Sequence, residues 1–377
     1  MPMKTAFLAL MYQLVLKPVF FKLNPDFVHE RMLTTGNLLG ASSIGKSLIN
    51  SLFYFKDKKL SQKLFGVIFE NPIGLSAGFD YDAQLTQILP SMGFGFGTVG
   101  TVTNIPYGGN PRPMLGRLPK SRSLLVNKGF KSKGADKIAI KLYDKDFLVP
   151  LGISVGRSNS PTLGTLDASI EDIATSFKKF EKSKLKNAYY ELNISCPNLI
   201  HGAKNITFYP PKNLRRLLTK IDKLKLSKPL FIKMPITETS TATLKMLSVI
   251  VSHKVMGVII GNLQKDRANP AFDKVEVKEA GMGNFSGKPC QPRSNELIAL
   301  TSKKYGRKLV IIGCGGVFNA RDAYEKIKLG ASLVMMITGM VYEGPQVVGK
   351  INKDLLALMK VDGYKNISEA VGVYTRF

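Results

Sequence analysis

From about residue 70 the chain alternates short apolar or β-branched runs with stretches whose apolar residues recur every three to four positions. That alternation predicts parallel strands joined by crossover helices. Eight runs read as strands: 73–77, 97–102, 151–155, 188–194, 229–234, 256–260, 309–313 and 332–337. Helical patterns lie between and after them at 169–180, 214–224, 241–251, 320–328 and 346–359. Eight βα units are the count that closes a barrel, and an open doubly wound sheet rarely needs so many. The expected fold is therefore α/β, a (β/α)8 TIM barrel.

The chain before the barrel reads differently. An apolar run over 6–23 contains Gln13, Lys17 and Pro18, and its uninterrupted part is shorter than the ~20 residues that a spanning helix needs. Asn24, Pro25 and Asp26 then supply a capping residue, a proline at the first helical position and an acid in the first turn. A second amphipathic helix is expected from there to about Leu33, ending before Gly36. The predicted organisation is a helical module over 1–45 followed by the barrel over 46–377. Two short helices rich in Leu, Phe and Lys fit a monotopic element lying on a membrane surface; they fit equally a helical cap packed on the main domain. No small-residue cleavage site follows the apolar run, so no cleaved signal is expected.

Composition narrows the picture in two ways. The 377 residues are 44% apolar, which suits a chain with a full core and argues against disorder. Charge is the outlier, with 54 Lys and Arg against 27 Asp and Glu for a net +27. Such a field favours any anionic partner: a membrane surface, a phosphate-bearing cofactor or an acidic substrate. It could also serve solubility alone. The basic residues are scattered, with no helix-turn-helix, zinc-finger spacing or aromatic RNA-binding motif, so no nucleic-acid partner is expected. The three cysteines (Cys196, Cys290, Cys314) form no CxxC pair, and there are three histidines (His29, His201, His253). Neither a disulfide framework nor a metal site is expected, and the compartment implied is a reducing one.

A TIM barrel places its chemistry at the C-terminal ends of its strands. There the sequence holds Ala77-Gly78, Thr101, Ser154, Asn193 with Cys196 and Asn198, Lys233, Asn262, Gly315-Gly316 and Thr338. These small, amide, hydroxyl and single-charge groups suit a planar heterocycle carrying a phosphate, because glycines admit close backbone approach and free N–H groups cradle anions. FSGKP (285–289) and GCGGV (313–317) are the glycine-rich pieces that could do so. Lys233 ends an apolar strand, where its ammonium needs an anionic partner, either a bound group or a neighbouring carboxylate. Cys196 lies just past a strand between Asn193 and Asn198, where a thiol of modestly depressed pKa would serve as a base. Cys290 and Cys314 read as packing residues, and His201 as a surface or lid residue.

In order along the chain, NPIGLSAGFD (71–80), GNPRP (109–113), RLP (117–119), NISCPN (193–198), FIKM (231–234), SGKP (286–289), IIGCGGV (311–317) and GASLV (330–334) resemble the dihydroorotate dehydrogenases. The resemblance runs through nearly the whole chain. Its leader, with LNPDFVHE, is similar to that of the membrane-associated, quinone-using class, in which two helices frame the quinone entrance. This implies an FMN enzyme of pyrimidine biosynthesis that oxidises dihydroorotate to orotate, passes electrons to a quinone and sits peripherally on the cytoplasmic side of a membrane. A base takes a proton from C5 of the substrate while hydride leaves C6 for N5 of FMN. By position Cys196 is that base and Lys233 lies against the flavin. Asn127, Phe130, Asn193, Asn198 and Asn262 would hold the substrate ring. Gly287, Gly315, Gly316 and Thr338 would serve the FMN phosphate, with Ala77, Gly78, Thr101, Ser154 and Gly261 around the rest of the cofactor.

Four departures accompany the resemblance. The quinone-using class has serine where this chain has Cys196, a cysteine shared with the soluble classes. Tyr81 stands where the family has a lysine after Gly-Phe-Asp. Val126 takes the place of a substrate-binding asparagine, with Asn127 beside it. Ser154, Gly261 and Ile337 replace an asparagine, a threonine and a tyrosine near the flavin. These leave two further readings open: a divergent FMN barrel with a soluble acceptor or another substrate, and a basic binding module without catalysis.

Overall fold

In the computed structural model, which describes residues 2–202 and 206–376, eight parallel strands close into a barrel. They are β1 (Ile73–Leu75), β2 (Phe96–Val102), β3 (Leu151–Val155), β4 (Tyr189–Asn193), β5 (Leu230–Met234), β6 (Gly257–Ile260), β7 (Val310–Cys314) and β8 (Leu333–Met336). Each pairs with its neighbours in the sequence, and β8 returns to β1 with Val334 opposite Ile73. Every expected strand is present, with ends that differ from the expectation by no more than two residues.

The barrel interior is filled by side chains. Phe96, Tyr189, Phe231, Ile259, Ile312 and Leu333 form one buried layer with Phe69, which comes from a hairpin (Gln62–Leu64 with Val67–Phe69) at the strand starts. Bulky rings on β2 and β4 need small neighbours, and glycine provides them: a Cβ on Gly74 would run into the Phe96 ring, and one on Gly152 into that of Tyr189. At the opposite end a second sheet, with Ser123–Val126 between Leu115–Leu118 and Asn284–Phe285, stands beside the strand ends. The sequence pattern does not reveal this sheet, nor the helices Ala135–Leu142 and Gln291–Tyr305.

The leader holds more helix than the pattern predicts. Helix α1 (Pro2–Met11) continues through a π-helical turn at Tyr12–Leu16 into α2 (Lys17–Lys22). Pro18 has no N–H to give back to the preceding turn, and the wider turn lies just before it. Helix α3 (Pro25–Ala41) starts as expected, with Asn24 Oδ1 accepting from the N–H groups of Asp26 (2.9 Å) and Phe27 (3.1 Å). It does not stop before Gly36. That glycine and Gly40 are where α3 presses on the 85–88 segment: a Cβ would clash with Leu85 at Gly36 and approach the Ile88 N–H to 3.2 Å at Gly40. The cost of glycine within a helix is offset by this close packing. Ser42 caps a further helix, α4 (Ser43–Phe53), so the boundary expected at 45 falls inside it.

Polar contacts tie the leader to the barrel. The Met114 N–H donates to Asp26 Oδ2 (2.9 Å), Tyr12 donates to the Val341 carbonyl (2.6 Å), and Arg117 donates to the Leu23 carbonyl (2.7 Å). The outer face stays apolar, with Phe7, Leu14, Leu38, Ile44 and Leu48 each more than half exposed. Among the described residues no helix is long and apolar enough to cross a membrane.

Candidate active site

The strand ends and the leader share one cavity of about 370 Å3. Its inner arm is walled by Ala77, Gly78, Thr101, Asn193, Cys196, Asn198, Lys233, Gly261, Asn262, Gly287, Gly315, Gly316, Thr338 and Phe130. Of the residues expected at the site, Ser154 and Asn127 stand outside the lining. Gly78, Gly287, Gly315 and Gly316 have φ of 111°, 88°, 97° and 72°, a region that only glycine enters freely. Side chains at Gly287 and Gly316 would collide with Arg122 and Gln291. Bare backbone is therefore presented to the cavity on one side, next to Ser286 and Thr338, whose hydroxyls pair at 2.8 Å. This cradle fits a phosphate group, and the ring of amides opposite fits a polar heterocycle, so the residues present suit FMN.

Lys233 is buried on β5, its Nζ donating to Ser76 Oγ (3.1 Å) and the Ala77 carbonyl (3.3 Å). Its carboxylate partner, at a loose 3.9 Å, is Glu191, which is fully buried and keeps Oε2 without any hydrogen bond. The ion pair and an exposure to the cavity coexist. Ser154 works from behind: its hydroxyl donates to Glu191 (2.6 Å) and pairs with Thr101 (2.9 Å). Asn193 donates to Thr101 (2.9 Å) and accepts from the N–H and hydroxyl of Ser195, each at 3.1 Å. Asn262 donates to Ser195 in turn. Ser195 thus fixes two of the expected amides.

Cys196 lies in the loop after β4, its thiol lining the cavity. Burial pushes the thiol up to about 11, against the smaller pull of the Asn198 N–H and of Lys233, Arg157 and Lys265. The depressed thiol expected from sequence is not found, because loss of solvent on burial outweighs these cations. Asn198 is held at both ends, donating to the Val126 carbonyl (2.9 Å) and accepting from Asn284 (2.6 Å). Asn127 turns away from the cavity and accepts from Asn110 (2.8 Å), while Val126 faces in. Phe130 packs edge-on where Gly156 leaves room for its ring. His201 sits beside the Tyr107 ring, its backbone N–H held by Asn159 at 2.8 Å. Residues 203–205 of that loop lie outside the described set.

The outer arm runs between the leader helices, past Phe20, Val28, Met32, Leu39, Leu85 and Ile88. Its polar features include Arg117, His29 and Lys128, with Tyr12, Thr35 and Tyr81 also on the wall. His29 Nε2 lies 2.9 Å from the Phe79 carbonyl, which can only accept, so Nε2 carries the proton and Nδ1 accepts from Lys128 Nζ (3.1 Å). Burial and the Lys128 charge push the imidazole down to about 3. Sequence reading singles out none of Glu191, Ser195, Arg117, His29 and Lys128 as site residues. Ser195 had a signal, its place inside NISCPN. So did Arg117 in RLP and His29 in LNPDFVHE; Lys128 had none, since its contact with His29 spans 99 positions.

Comparison with known proteins agrees with the geometry. The family model for dihydroorotate dehydrogenase matches residues 59–359. Curated proteins named dihydroorotate dehydrogenase (quinone) match almost end to end: that of Trichodesmium erythraeum is 34% identical over 96% of this chain and 98% of its own. That of Gloeobacter violaceus is 33% identical over 94% and 97%. Among solved structures, the Eimeria tenella enzyme in complex with ferulenol superposes with a TM-score of 0.82 at 25% identity, covering 97% of this chain and all of that one.

Proposed function

This chain belongs to the dihydroorotate dehydrogenase family, and on that premise we propose that it oxidises dihydroorotate to orotate and passes the electrons to a quinone. The observation that carries the reading is the single cavity joining an apolar arm between leader helices to a polar ring at the strand ends. A two-substrate redox enzyme needs such a pair of compartments, one for a polar heterocycle and one for a lipid-soluble acceptor.

Bound FMN supplies the hydride acceptor for the substrate and the electron store for the quinone. The chain does the rest. Asn193, Asn198 and Asn262, with amides fixed by Thr101, Val126, Asn284 and Ser195, orient the dihydroorotate ring. Cys196 takes the proton from C5. Because burial holds the thiol at about 11, the reactive thiolate is a minor species at neutral pH, drawn out by Lys233, Arg157 and Lys265. Lys233 presents positive charge to the flavin, and Gly287, Gly315 and Gly316 with Thr338 receive its phosphate. The leader, taken as residues 2–53, lies on the membrane by its apolar outer face, in a peripheral attachment on the cytoplasmic side.

Anaerobic mixing tests the reading. Dihydroorotate should bleach the flavin absorbance of the purified protein, and a short-chain quinone should restore it. Reoxidation by fumarate or NAD+ but by no quinone would transfer the outer arm to another role.

A further inference from the structure

Lys128 is an ammonium almost wholly buried at the junction of the two arms, on the cavity wall, and among the described residues it makes no ion pair. Its contacts are His29 Nδ1 at 3.1 Å, an acceptor that carries no charge, and the face of Tyr81, with the ring centroid 5.0 Å from Nζ. Burial pulls its pKa down to about 8, Asp26 and Glu30 favour the charged form from α3, and Lys131 and Arg112 oppose it. Glu30 is itself engaged by Lys131 and Arg112, and Asp26 by the Met114 N–H. An ammonium has three N–H donors; one goes to His29 and one faces the ring, which leaves at least one for an acceptor inside the cavity.

The neighbouring cations have partners elsewhere, although Arg117, also on the cavity wall, engages its carbonyls through Nη1 alone. Arg117 donates to leader carbonyls at Phe21 and Leu23 and stacks on the Phe21 ring. Lys233 belongs to the inner arm with Ser76 and Glu191. His29 has no donor to offer, its one N–H being committed to Phe79. The two lysines also act on different partners, since the thiol of Cys196 feels Lys233, Arg157 and Lys265, whereas Lys128 acts on His29.

We propose that Lys128 receives the electron acceptor, donating a hydrogen bond to a quinone carbonyl oxygen and stabilising the charge that builds there as the two electrons and two protons of the reduced flavin convert quinone to quinol, with His29 and Tyr81 holding the ammonium in place. The inference rests on the reading that a quinone enters between the leader helices. The lysine is a binding and charge-stabilising group; no proton transfer is required of it.

The two half-reactions separate its role from a substrate-side one. In the full-length, flavin-loaded protein, Lys128→Met should keep flavin content and the rate of bleaching by dihydroorotate. Reoxidation by decylubiquinone or menadione should need roughly tenfold to a hundredfold more quinone for half-maximal rate, the loss expected of a charge-assisted hydrogen bond. Lys128→Arg should restore part of that loss. If Lys128→Met does not retain flavin, Lys128→Gln, which keeps a neutral donor, is expected to fall between it and wild type. Unchanged reoxidation in Lys128→Met, or in Lys128→Gln where the methionine variant loses flavin, with a wild type that quinones do reoxidise, overturns the proposal alone, as does a slowed bleaching step with normal reoxidation. A wild-type flavin that neither quinone reoxidises defeats the reading beneath it and this proposal together.

Discussion

Cys196 sits in surroundings that work against the thiolate, the form in which the proposed base would react. With the thiol at about 11, each pH unit between 7 and 10 should raise the thiolate fraction about tenfold, and flavin bleaching by dihydroorotate should rise with it as long as proton abstraction limits the step. Cys196→Ser should be slower across that range, because a hydroxyl is a still weaker acid with no activating base beside it. A flat profile together with a serine variant equal to wild type would remove Cys196 from the role of base. Lys233 poses a second test at this scale. Replacing it by Met strands the buried Glu191 carboxylate, whose Oε2 already lacks a partner, and should cost about 3 kcal/mol of stability, the order seen when one member of a buried pair is removed. Adding Glu191→Gln should recover much of the melting temperature and none of the flavin binding. Recovery of both would make Lys233 a structural cation only.

Among the elements, α3 carries the pH sensitivity. Its His29 is held down to about 3 in the fold, while an unfolded histidine titrates near 6.5. The unfolded chain therefore binds a proton in the window between those values that the folded chain refuses. Stability should be unaffected above pH 6.5 and should fall as the pH drops through the window, by up to about 1.4 kcal/mol per unit. His29→Gln should flatten that slope in denaturant titrations at pH 4 to 6; an unchanged slope would show that the imbalance lies elsewhere. How legible each element was follows from where its contacts lie. The eight barrel strands could be read from sequence because strands buried on both faces are continuous apolar runs, and their end residues named most of the inner arm. The end of α3 was misread because Gly36 and Gly40 answer to the 85–88 segment rather than to the helix itself. The sheet around Ser123–Val126 was missed because strands of two to four residues carry too few positions for a period. Asn127 was expected to hold the substrate ring, but pairing of Ser123–Val126 with both Leu115–Leu118 and Asn284–Phe285 fixes the register with Val126 on the cavity wall and leaves Asn127, past the strand end, to Asn110.

At the scale of the whole molecule, two features point the same way. The net charge is +27, and the leader turns a row of apolar side chains to solvent while its inner face lines the cavity. A water-soluble acceptor would give no reason to expose Phe7, Leu14, Leu38 and Ile44; an acceptor dissolved in lipid requires the cavity's outer arm to open where lipid is. The apolar face and the charge should then contribute separately to attachment. The full-length protein should co-sediment with vesicles of mixed phosphatidylglycerol and phosphatidylcholine more than with phosphatidylcholine alone. That difference should shrink in about 1 M salt, where the screening length falls to about 3 Å. A Leu14→Asp, Leu38→Asp, Ile44→Asp variant should lose binding to both vesicle types and lose activity with a membrane-embedded long-chain quinone. It should keep its melting temperature and its rate with a water-soluble quinone, since all three side chains already lie in solvent. If the variant binds as wild type does, the apolar face is not the contact with the membrane. If instead wild type fails to sediment with either vesicle, the leader is a cap on the barrel and the acceptor reaches the outer arm from water.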